Sequence, residues 1–180
     1  MNEDSRIIVD TIRQMKLIYQ QVSRFLETSD SLMRESGWGT ESSTAKYGSA
    51  ALNNPTNWLP SVAMRAYMSD DFPDTKRLLA IQLDKDNEPD YEPIIIGTIL
   101  VKNDIGDGSF DWKDWDSYWW YREYSSQNKE GLIEKIEPQV VYPKDKRGLT
   151  SVHVFALLLI GIDNSESLKN EAINRLLSKV

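Results

Sequence analysis

The 180-residue sequence predicts an α+β domain: an antiparallel sheet of four or five strands, with a long N-terminal helix and a C-terminal helix packed mainly on one face. Three observations predict it. Apolar side chains recur at helical spacing through residues 5–36. Three later segments carry strand signals and are separated by roughly seven to ten residues, which suits hairpins; a parallel crossover needs a dozen or more. A second apolar helical stripe closes the chain. One domain, residues 1–180, is expected at this length.

In the first helix Ile8, Ile12, Met15, Tyr19, Val22 and Leu26 follow one another at spacings of 4, 3, 4, 3 and 4. Ile18, Phe25 and Leu32, seven apart, widen that stripe to one side. Asp4 or Ser5 can cap the first turn, and Gly37 is placed to end the helix in the left-handed region. The stripe has two readings: a core face within the monomer, or a helix whose extra length pairs with another subunit.

Residues 37–57 read as a long connection punctuated by Gly, Ser, Asn and Pro, with a short helical turn near 46–52 and with Trp38, Tyr47 and Trp58 packing it down. Val62, Met64, Ala66 and Met68 alternate with Ala63, Arg65 and Tyr67, which predicts a strand. A helix starting at Pro60 is the competing reading. Arg77–Asp84 and Ile94–Val101 are the next two strands, separated by turns rich in Asp and Pro. Asp114–Tyr124 reads as a helix crowded with aromatics, and Ile133–Tyr142 as holding a short strand. Ser151–Ile162 is the strongest strand signal; its unbroken apolar run predicts cover on both faces and a central place. Asn164 or Ser165 can cap a last helix whose stripe is Leu168, Ala172, Leu176 and Val180, with Ile173 and Leu177 beside it.

Composition excludes several functions. With no cysteine there is no disulfide framework, no thiolate zinc site and no cysteine nucleophile. Lysine and arginine number 21 against 28 acids, a net charge of −7, which disfavours nucleic acid as a partner. The one dense basic stretch, Lys144–Arg147, is broken by Asp145 and reads as a solvated turn. The longest apolar run, Val154–Ile162, is nine residues, far short of the ~20 of a membrane-spanning helix. The acidic start Met1-Asn2-Glu3-Asp4 does not resemble a signal peptide, so a soluble cytoplasmic protein is expected, with no membrane partner.

The catalytic inventory is poor. His153 is the single histidine, so any Ser–His chemistry must use it; a histidine hydrogen-bonded to a neighbour in its strand is the plainer reading. The loop Asp104–Asp111 offers oxygen ligands, but counted from Asp107 the EF-hand pattern fails at position 6 (Trp112) and position 12 (Tyr118). Glu134 and Glu137 are one of many carboxylate pairs among 28 acids. No phosphate-binding glycine loop occurs. Ser43-Thr44-Ala45-Lys46 resembles the nucleophile tetrapeptide of penicillin-binding proteins and class A β-lactamases, where a lysine one helical turn on activates the serine. That resemblance ends at four residues, because Ser-Asp-Asn and Lys-Thr-Gly partners are absent. No catalytic residue, metal ligand or cofactor is assigned.

The strongest anomaly is aromatic. Phe110, Trp112, Trp115, Tyr118, Trp119, Trp120, Tyr121 and Tyr124 fall within 15 residues and include four of the six tryptophans. They occupy every side of a helix, so one helix cannot bury them all; packing of the helix and its lead-in loop onto the sheet, a protein–protein interface, and a stacking surface for a sugar or other planar ligand are the three readings. An interaction surface of Trp112, Trp115, Tyr118, Trp119, Trp120 and Arg122 is expected, beside a helix interface of Ile8, Ile12, Met15 and Tyr19. The leading expectation is a non-enzymatic protein–protein interaction domain of adaptor, chaperone-like or immunity type, whose partner is another protein, a second copy of itself included. The alternative is a small-molecule or carbohydrate-binding domain in which the aromatics line a pocket, with Asp111, Asp114 or Glu134 as polar groups.

Overall fold

The computed structural model describes residues 3–47, 60–83, 92–102, 117–128, 131–133, 135–142 and 148–179. The expected α+β architecture is present, with six strands among the described residues rather than four or five. Helix α1 (Glu3–Glu35) is followed by strands β1 (Gly39–Tyr47), β2 (Pro60–Met68), β3 (Thr75–Gln82) and β4 (Ile94–Lys102). Helix α2 (Ser117–Asn128) comes next, then β5 (Gln139–Val141), β6 (Leu149–Leu158) and a C-terminal helix. The strands form one sheet in the order β1-β2-β3-β4-β6-β5, every pair antiparallel.

Strand alternation divides the sheet's side chains between two cores. Val62, Ala66, Leu78, Ala80, Ile96, Val152 and Val154 meet α2, through Trp120 and Tyr124. Tyr67, Leu79, Ile95, Ile99 and Phe155 meet the C-terminal helix and the end of α1, while Ile81 packs under Val22 and Leu26. Register places Gly97 opposite Phe155, and a Cβ at Gly97 would collide with the phenylalanine ring. Glycine is therefore required there by packing, not by backbone conformation.

Two helix ends follow their sequence signals. Gly37 takes φ 82°, Trp38 N–H donates to the Met33 carbonyl and Gly37 N–H to the Arg34 carbonyl, which is a Schellman stop. Asn164 Oδ1 accepts from the N–H groups of Glu166 and Ser167 at 2.9 Å each, and Ser167 Oγ accepts from Asn164 N–H at 3.1 Å. This capping box starts the C-terminal helix, made of Ser165–Ser167, a π-helical Leu168–Ile173 and Asn174–Leu176. Leu168, Ala172, Ile173 and Leu176 of its expected stripe are buried.

Three expectations need correction. The stretch read as a connection contains β1, an edge strand paired with β2 from Gly39 to Tyr47; residues 48–59, with the rest of the expected helical turn, lie outside the described ones. Serine-rich and without an apolar alternation, β1 owes its form to the edge of β2. Asp4 and Ser5 already lie inside α1, so neither is its cap. Strand β6 has a neighbour on each side but sits one strand from the sheet edge, not at its centre, and its run ends in a 3-10 turn at Leu159–Gly161.

Candidate functional site

The sheet is too small for α1. A helix of 33 residues is about 50 Å long. Strands of nine residues reach roughly 30 Å and six strands span about 24 Å. Only the second half of α1 is seated: Val22, Leu26, Ser29 and Met33 are buried, and Phe25 and Leu32 are partly so. Asp30 fixes this half to β2, accepting from Tyr67 Oη and Arg65 Nε at 3.1 Å each. Burial first, then the Asp30 charge, raises the Tyr67 phenol far above its ordinary value, so it remains a neutral donor.

The first half of the same stripe continues outward. Ile8 and Ile12 are 59% and 46% exposed, while Met15 and Tyr19 are half-buried. Ile7 and Ile18, 58% and 51% exposed, flank them. At 100° per residue, Ile7, Ile8, Ile12, Met15, Ile18 and Tyr19 fall within an arc of about 140°, a single apolar face. All four residues of the expected helix interface therefore share one face, with its two isoleucines the most open.

The aromatic surface fares differently. Trp112, Trp115 and the side chain of Tyr118 lie outside the described residues. Trp120 is fully buried, so it belongs to the core and offers no contact surface. Its helix presents Ser117, Trp120 and Tyr124, spaced by three and four, to the sheet. Trp119 is half-buried and meets Trp120 edge-on at 4.4 Å between ring centroids; Arg122 is exposed. The sequence could not orient this helix, because aromatics on every side leave its period without an apolar face.

The remaining chemical candidates resolve as follows. Ser43 and Lys46 lie on strand β1, so the one-turn helical spacing needed to activate a serine is not formed. His153 Nε2 lies 3.1 Å from Ser151 Oγ, its strand neighbour on the same face, and burial pulls the imidazole below its ordinary pKa. Glu137 is exposed, and Glu134 and the acidic loop 104–111 lie outside the described residues. Among the described residues no three His, Cys, Asp or Glu side chains group to hold a metal. No helix of the described residues is long and apolar enough to cross a membrane.

Two polar arrangements were not legible in the sequence, because each joins residues far apart in the chain. Lys76, 2% exposed on the interior strand β3, pairs with Glu41 at 2.6 Å; Glu41 sits where β1 shifts register between Thr40 and Ser42. The Arg77 guanidinium lies 4.3 Å over the Trp38 ring and donates to the Ser178 carbonyl at 3.4 Å, and Trp38 stacks on Phe72 at 5.7 Å. Burial lowers Arg77 to about 10, still charged at neutral pH. Arg77 Nε and Thr98 Oγ1 are buried without hydrogen-bond partners among the described residues. Lys76, Arg77, Trp38 and Thr98 are buried, whereas the isoleucines of the α1 stripe are about half exposed. Compared with known proteins, the chain matches no family model, no curated protein and no solved structure.

Proposed function

We propose that this chain is a non-enzymatic protein–protein interaction domain whose docking element is the overhanging half of α1. One observation carries the reading: the stripe that holds α1 on the sheet through Val22, Leu26 and Met33 continues onto Ile12 and Ile8, which are about half exposed. An isolated helix of some 15 residues is marginal in water, and its stability in proteins comes from packing an apolar face. A protein partner covering Ile7, Ile8, Ile12 and Ile18 supplies that packing. Trp119 and Arg122 form a smaller second surface on the opposite side of the sheet.

The alternative, a ligand pocket lined by the aromatic helix, has less support, since Trp120 and Tyr124 are committed to the core. Its test is tryptophan fluorescence on adding sugars, where a quench or blue shift favours a pocket.

The double variant Ile8→Asp/Ile12→Asp tests the main reading. At exposed positions the substitution costs under about 1.5 kcal/mol, mostly helix propensity. The thermal midpoint in dilute protein stays within a few degrees, while assembly measured by light scattering and capture of protein partners are both lost. Unchanged assembly and capture contradict the reading. A large fall in stability contradicts it too, by showing that the stripe is core.

A further inference from the structure

We infer that the outer edge of β1 pairs with β1 of a second copy of this chain, joining the two sheets antiparallel about Thr44. The inference uses a different surface from α1 and does not rest on its docking role. Backbone hydrogen bonds carry it. Antiparallel ladders alternate: a residue that bonds to the strand on one side turns its N–H and C=O away from the strand on the other. Leu83 N–H donates to the Ser61 carbonyl at 2.7 Å, so in β2 the odd-numbered residues bond to β3 and the even-numbered ones to β1. The bonds from Lys102 N–H to the Asp74 carbonyl and from Leu159 N–H to the Pro93 carbonyl fall on the same alternation at the next two junctions. Ser42, Thr44 and Lys46 stand opposite Ala66, Met64 and Val62, so they bond inward. Ser43 and Ala45 therefore present N–H and C=O outward, where no strand of the described residues pairs with them.

Natural sheets guard such edges by shortness, proline or charge. The opposite edge is guarded. Strand β5 has three residues, of which only Val140 faces outward on the same alternation, and the sequence places Pro138 before it and Pro143 after it. Strand β1 has nine residues and no proline, and its one acid, Glu41, is drawn inward to the buried Lys76.

The pairing with β2 selects both the occupant and the register. Its register shifts, between Thr40 and Ser42 and between Lys46 and Tyr47, leave a regular run from Ser42 to Lys46, centred on Thr44. A two-fold axis through Thr44 lays the regular run of one copy along that of the other and keeps the shifts of both outside the contact. Ser43 then lies level with Ala45 of the other copy, and Ala45 with its Ser43, which closes about four backbone hydrogen bonds. Lys46 lies level with Ser42, so no like charges stand opposite. A peptide added to a sheet edge is selected by side-chain pockets, and β1 carries no apolar alternation to build them; what it offers is backbone self-complementarity. The contact is small, and its dissociation constant is expected on the order of 100 μM.

Ala45→Pro removes an outward N–H and leaves the β1–β2 ladder whole, because proline is tolerated on an edge strand where its nitrogen faces away. By sedimentation at about 1 mM, well above the expected dissociation constant, wild type is expected to show a mass above the monomer and Ala45→Pro the monomer mass, with thermal midpoints within a few degrees of each other. The absence of cysteine makes the register directly readable. In the proposed pair the two Thr44 residues face each other at a non-hydrogen-bonded position, with Cα atoms about 4.5 Å apart, within disulfide range. The two Ser42 residues are offset by four residues, about 14 Å. Oxidised separately at the same concentration, Thr44→Cys is expected to cross-link about tenfold more than Ser42→Cys. Should Ala45→Pro fail to fold, this comparison decides alone. Equal or stronger cross-linking of Ser42→Cys overturns the register and the contact with it. A monomeric wild type at that concentration, with no cross-link in either variant, overturns self-pairing. An assembly that survives Ala45→Pro but is lost in Ile8→Asp/Ile12→Asp also overturns the β1 contact, while leaving the docking role of α1 standing.

Discussion

Gly97 and Phe155 stand directly opposite on β4 and β6: the ring occupies the place where a Cβ of residue 97 would stand, and both residues are buried. Gly97→Ala is expected to destabilise the fold by about 2–3 kcal/mol through overpacking, read as a lower denaturation midpoint. Phe155→Leu in the same chain is expected to recover part of that loss, because it vacates the colliding volume. His153 gives a pH-dependent prediction. Burial depresses its folded pKa below the ordinary 6.5. The unfolded chain therefore binds the proton more readily, and stability falls as pH drops below about 6.5 toward the folded pKa. The carboxylates titrate in wild type and variant alike, so the comparison isolates the histidine. Denaturation at pH 7.5 and pH 5.5 is expected to show a larger loss in wild type than in His153→Gln. An equal loss contradicts the burial account.

Elements were legible where one periodicity had one face to serve. The 3.6-residue stripe of α1, the alternation of Val62, Met64 and Ala66, and the Asn164 cap all matched the structure, because each local signal agreed with the face it packs against. Strand β1 was not legible. Its Gly, Ser and Thr residues carry no apolar pattern, and only pairing with β2 extends it. The seating of Trp120 was not legible either, since tryptophan and tyrosine surround α2 and the sheet selects which of them to bury. The four residues read as a helix interface share one face because Ile8, Ile12, Met15 and Tyr19 obey a single spacing, whereas the residues read as an aromatic surface follow no single spacing. The junction between α1 and β2 is polar and specific. Removing the Tyr67 hydroxyl with Tyr67→Phe leaves one Asp30 oxygen without its donor at a part-buried site and is expected to cost about 1–2 kcal/mol. Asp30→Asn is expected to be non-additive with it in a double-mutant cycle, since both changes act on one network. Additive losses would show that Asp30 acts chiefly through Arg65.

For the whole molecule, a six-stranded sheet carries helices on both faces, and one helix is about twice as long as the surface beneath it. Its seated half belongs to the cooperative core. Its free half holds an apolar face that no described part of the chain buries fully. Amide hydrogen exchange along α1 reads that division residue by residue. In dilute protein, residues 22–33 are expected to exchange only through global unfolding, while residues 5–19 exchange at least tenfold faster, because their stretch of helix is less buried than the seated half. Raising the protein concentration, or adding a bound partner, is expected to slow exchange in 5–19 and leave 22–33 unchanged. Uniform slow exchange from residue 5 to residue 33 in dilute protein would contradict the account, since it would show that the whole helix is already packed within one molecule.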